Sequence, residues 1–110
     1  MRSGIRVSPL LKGATATGTG NRQRMDLNEG SSGRVIEAIV RGTGAVSATV
    51  LIYGATDPTV VAGILLATLT LSGTTEDNDG VAIDAPWPVI WADLTAISGT
   101  NASVDCNVAD

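Results

Sequence analysis

Val89-Ile90-Trp91-Ala92-Asp93-Leu94-Thr95-Ala96-Ile97, then Ser98-Gly99-Thr100-Asn101, then Ala102-Ser103-Val104-Asp105-Cys106-Asn107-Val108: this stretch decides how the chain folds. Ile90, Ala92, Leu94 and Ala96 recur at every second position, as do Ala102, Val104, Cys106 and Val108. Alternation of that kind sends side chains to one face of an extended strand, whereas a helix repeats every 3.6 residues. The four residues between the two runs are turn formers, so the expectation is a β-hairpin with a short connection. Parity has a second consequence: Val89, Trp91, Asp93 and Thr95 point away from Ile90 and its companions. A tryptophan beside a valine on the outer face of a sheet is expected to contact another protein. Cys106 falls on the inward set, as a buried and inert thiol. Trp87 stands between Pro86 and Pro88, where missing donors forbid a central ladder, and is expected to cap one end of the core.

The same rhythm extends backwards. Residues 34–41 are rich in β-branched side chains and stop at Gly42-Thr43-Gly44; residues 46–53 place Val46, Ala48, Val50 and Ile52 on one face, before the turn residues 54–58. Residues 64–71 alternate again, residues 72–80 are expected as a polar turn, and residues 81–83 as a short strand. Two short strands are expected near 14–17 and 22–27, followed by the connection Gly30-Ser31-Ser32-Gly33. Residues 1–12 read as an extended N-terminal arm with an apolar knot at Val7, Leu10 and Leu11. The fold class is therefore all-β, with about eight short strands in an antiparallel β-sandwich of jelly-roll or Greek-key type. Residues 13–110 form its single domain. With no phenylalanine and alanine the commonest residue, the core is thin, since each buried Val, Leu or Ile contributes about 1.5–3 kcal/mol. Burial between subunits is the readiest way to add stability, which favours a homo-oligomer.

Composition excludes several functions. The chain has 110 residues, 44% hydrophobic and 16% charged, too apolar for a disordered segment and too poor in charge for a coiled coil. No apolar run approaches the ~20 residues of a membrane span, and the N-terminus lacks the apolar core of a secretory signal. Histidine is absent and cysteine single, so the usual general bases and metal-ligand sets are missing, and neither enzymatic activity nor a cofactor or metal is expected. Glu76-Asp77-Asn78-Asp79-Gly80 does not match a calcium-loop spacing and reads as a solvated acidic turn. All seven basic residues lie within the first 41 positions, and eight of the eleven acids lie beyond them. The arginines are spread out without interleaved aromatics, so nucleic acid is not the expected partner; charge complementarity between copies or with an acidic protein surface fits better.

The ordered run Gly42-Thr43-Gly44-Ala45-Val46-Ser47-Ala48-Thr49-Val50, Leu69-Thr70-Leu71-Ser72-Gly73-Thr74-Thr75, Asp84-Ala85-Pro86-Trp87 and Leu94-Thr95-Ala96-Ile97-Ser98-Gly99-Thr100 resembles small virion proteins of tailed bacteriophages, similar to the head decoration (cement) family. The resemblance covers about two-thirds of the chain. It departs at residues 54–62, where such proteins often carry an Asn-Asp-Gly turn and a tryptophan. The resemblance implies a structural protein, made in the host cytoplasm, that sits on the outer capsid surface as a dimer or trimer and clamps neighbouring major capsid protein subunits. Arg2, Arg6, Leu10, Leu11 and Lys12 are the expected arm contacts, and Val89 and Trp91 the expected sheet-face contacts. Two alternatives remain: an adaptor at the tail, neck or a fibre, and a carbohydrate-binding sandwich that uses its tryptophans.

Overall fold

The computed structural model describes residues 7–24, 34–83 and 87–109, all strand, turn or irregular chain, with no helix among them. Its strands are β1 (Val7–Ala14), β2 (Gly18–Thr19), β3 (Gln23–Arg24), β4 (Arg34–Ala55), β5 (Ile64–Ile83) and β6 (Val89–Ala109). Every pairing is antiparallel, in the order β1-β6-β4-β5, with β2 and β3 also on β6. All-β antiparallel architecture thus follows from the period-two sequence.

The strand ends differ from expectation. β4, β5 and β6 span 22, 20 and 21 residues, and run straight through Gly42-Thr43-Gly44, residues 72–80 and residues 98–101. The expected hairpin between residues 89–97 and 102–108 does not form. Residues 89–97 pair with the second half of β4 and residues 103–109 with its first half, so both runs belong to one strand. The glycine and asparagine positions mark bends. Gly44 in β4, Thr75 in β5, and Gly99 and Asn101 in β6 have positive φ (73°, 67°, 128° and 57°), beside the register shifts that follow Arg41. A left-handed residue at a bulge turns a strand without ending it. In β5, the Thr70 and Ser72 amides donate to the Asp79 and Asp77 carboxylates (3.4 and 2.8 Å). Nine residues of straight strand extend about 30 Å, so these contacts require β5 to fold back on itself.

Parity survives the bends over most of the sheet and builds the core; in β6 the register slips at Thr95, so Ala96 is exposed and Ile97 packs on the core instead. Ile36, Ala38 and Val40 before the bend in β4, and Val46, Ala48, Val50 and Ile52 after it, belong to one buried cluster. Leu69, Leu71, Ile83, Ile90, Ala92, Leu94, Ala102, Val104, Cys106 and Val108 join it, with Leu10 and Leu11 from β1.

The N-terminal segment is not a free arm over its described part. β1 pairs with the last turns of β6, from Val7 opposite Ala109 to Ala14 opposite Val104. The register shifts between Pro9 and Leu11, so a bulge at Leu10 sends two successive side chains inward. Leu10 is fully buried and Leu11 is 6% exposed, both in the main core. These two are corrected from arm contacts to core residues, while Lys12 stays exposed. Pro9 is tolerated because β1 is the outermost strand of the order. Arg2, Arg6 and the 30–33 connection lie outside the described residues.

Candidate contact surface

Val89 and Trp91 do leave the sheet on the face opposite Ile90, Ala92 and Leu94, as parity requires. They are nevertheless covered: each is only 2% exposed, and with Ala55 they form a second small cluster against which Tyr53 packs. The Tyr53 and Trp91 rings stack, their centroids 5.9 Å apart and their planes inclined by 18°. On the indole, the Arg22 guanidinium carbon sits 3.8 Å from the ring centroid. Over the ring edge lies residue 63. A Cβ there would fall 2.4 Å from Trp91 Cη2, a separation only glycine avoids, and the backbone φ of +69° favours glycine independently. The expected exposed tryptophan–valine patch is therefore corrected to a buried seam beneath the β4–β5 connection.

That connection, residues 56–63, is a built loop. The Asp57 carboxylate accepts from the Thr59 amide (2.9 Å) and hydroxyl (2.7 Å), and the Val60 amide donates to the Asp57 carbonyl (3.2 Å). The Thr59 amide, then its hydroxyl, holds the Asp57 carboxyl below its ordinary pKa. At the far side Arg22 Nη2 donates to the Val61 carbonyl (3.3 Å), so one arginine grips the loop and the indole beneath it.

The loop and the start of β5 together carry four exposed aliphatic side chains. Val61 is 86% exposed, Ile64 57%, Leu65 52% and Val60 37%. Beside them is a hollow of about 330 Å³ walled by Gly54, Thr56, Val60, Ala62, Ile64 and Trp87. Trp87 is half-buried, packed on the main core on one side and walling the hollow on the other. A second hollow of about 320 Å³ lies between Arg24, Thr56, Pro58, Pro88 and Val89. Scattered exposed aliphatics are ordinary on a protein surface, but four within six residues beside a hollow form a patch. The sequence carried a signal for it. Val60-Val61 and Ile64-Leu65 are adjacent apolar pairs, and a strand or loop covered on one side only leaves one member of such a pair exposed.

The remaining candidates are occupied structurally. Glu76 and Asp105 both lie 3.4 Å from Arg41, and Asn78 donates to Glu37 (2.9 Å). Asp77 and Asp79 cap edge amides of β5, as above. These acids lie on a strand, not on the solvated turn expected for them. Cys106 is fully buried, and desolvation pushes its thiol up to about 12.

No family model matches this sequence, and no curated protein matches it. A crystal structure of the SPBc2 prophage-derived protein YomS is similar in fold, with a TM-score of 0.56 over 97% of this chain and 94% of that one, at 13% sequence identity.

Proposed function

We propose that this chain is a structural virion protein of a tailed phage, a capsid decoration protein that binds the outer surface of the head and stabilises contacts between major capsid protein subunits. The observation that carries the reading is a fold shared with a prophage-derived protein over nearly the whole length of both chains. The sequence resemblance to decoration proteins narrows it from phage to head. The proposal gives the chain no catalytic role and no cofactor; its work is shape, surface and adhesion.

The finer fold assignment is an eight-segment jelly roll, reached by dividing each long strand at its bend. One layer is then β1, the second half of β6, the first half of β4 and the second half of β5. The other is β2 with β3, the first half of β6, the second half of β4 and the first half of β5. The strand pairings support this division, as does the single core cluster to which both halves of β4 contribute. A shortest dimension of 18 Å also suits two sheets packed about 10 Å apart. Carbohydrate binding loses its main support, because Trp91 is buried under the loop and capped by Arg22.

The test is co-sedimentation of the purified chain with expanded phage heads. Saturable binding, with heads that rupture at higher temperature when coated, is expected. Heads that bind none of the chain would remove the proposal, and binding confined to isolated tails would move it to the adaptor alternative.

A further inference from the structure

We propose that the aliphatic end of the β4–β5 connection is a two-fold interface between copies of this chain, in which Val61 of each copy seats in the hollow of the other. Val61 is a knob, 86% exposed on a loop held from below. The hollow of about 330 Å³ beside it is walled by Gly54, Val60, Ile64 and Trp87. A knob and a hollow adjacent on one patch complement a second copy rotated by half a turn, and no other surface is needed.

The sheet edge agrees. β5 ends the strand order and pairs only with β4. An open edge invites pairing with another chain, and natural proteins blunt it with inward charges. Here Asp77 and Asp79 cap the edge at Ser72 and Thr70. Among the described residues no side chain caps residues 64–68, the stretch that carries exposed Ile64 and Leu65. Blunting stops where the aliphatic patch begins, so two copies can run their β5 edges past one another there.

Preorganisation and area set the strength. The Asp57 turn and the Arg22 grip order the loop before association, which removes part of the entropic cost of binding. The four exposed aliphatic side chains supply roughly half of the ~800 Å² that each partner contributes to a standard interface. The edge and the walls of the hollow extend it, placing the interface at the small end, so the dimer forms as concentration rises. This inference does not depend on the head-decoration reading, because it concerns the isolated chain in solution.

Sedimentation equilibrium of the full chain between about 10 μM and about 1 mM tests it. The average mass should climb from 11.1 kDa toward twice that value. Val61→Asp and Leu65→Asp should hold the mass at the monomer value throughout. Val35→Asp, at a valine 56% exposed outside the patch, should associate like the parent chain. Circular dichroism and melting confirm that each variant folds, and all three sites are exposed enough to accept aspartate. Chemical shifts that move on dilution should cluster at residues 54–65 and Trp87. A mass of 11.1 kDa at every concentration overturns the proposal, as does association unchanged in Val61→Asp or equally lost in Val35→Asp. A chain that stays monomeric while Val61→Asp loses binding to phage heads would assign the patch to a different protein and also overturn it.

Discussion

Replacing Gly63 by alanine separates two contributions that the structure places at one residue, and Gly44 is its control. Both glycines have left-handed backbone, with φ of +69° and +73°. A Cβ on Gly44 would meet nothing within 4 Å, whereas on Gly63 it would lie 2.4 and 2.5 Å from Trp91 Cη2 and Cζ2. The backbone penalty for alanine in this region is about 1–2 kcal/mol. The lost freedom of the unfolded chain returns about 0.4–1 kcal/mol of it. Gly44→Ala should therefore cost about 0.5–1.5 kcal/mol. Gly63→Ala carries the same contribution plus overpacking, about 1–3 kcal/mol, because the indole is buried and already packed against Tyr53 and Arg22. Its total should be about 2–4 kcal/mol. Urea unfolding at neutral pH, read from midpoints at constant slope, measures both variants. Tryptophan emission of the folded Gly63→Ala chain should also shift to the red as the loop lifts from Trp91. Equal costs for the two variants would refute the argument, since the loop could not then be resting on the indole.

Three further outcomes follow from the same geometry. Leu10→Ala should cost about 2–5 kcal/mol, while Lys12→Ala stays within about 0.5 kcal/mol; denaturation curves distinguish a core strand from a free arm, which would lose little at either position. Thr75 is β-branched with φ of 67°, so Thr75→Asn should raise stability by about 0.5–1 kcal/mol, because asparagine tolerates that backbone better; a lower melting temperature would contradict it. Burial raises the Cys106 pKa from 9.0 to about 12, so the native state favours the neutral thiol. The contribution is complete below pH 9 and fades as pH rises toward 12. The parent chain should lose stability across that window relative to Cys106→Ala, and thiol reagents should label only unfolded molecules.

Much of the interior was legible from alternation alone. Ile36 to Val40, Val46 to Ile52, Ile90 to Leu94 and Ala102 to Val108 all bury the alternate positions that the sequence indicates. The inferred hairpin failed for a physical reason. Ser98-Gly99-Thr100-Asn101 reports that left-handed backbone is available, and a turn and a bend use it equally. Which one forms depends on the pairing partner, here the two halves of β4, far away in sequence. Leu10 and Leu11 misled similarly, since adjacent leucines violate alternation unless a bulge intervenes, and the bulge exists because β6 pairs on both sides of it. Trp91 illustrates the limit of parity. The strand assigns its face, but only Arg22, Gly63 and Tyr53, each distant in sequence, decide whether that face meets solvent. The exposed aliphatic patch went unread, because the adjacent pairs Val60-Val61 and Ile64-Leu65 mark a surface only where no second layer covers the outer side, and that depends on tertiary packing.

Electron cryo-microscopy of virions carrying a labelled copy of this chain tests the functional account most directly. The account predicts label arrayed over the whole outer surface of the expanded head, repeating with the capsid lattice. Label restricted to a single vertex or to the tail, or absent from the particle, would contradict it.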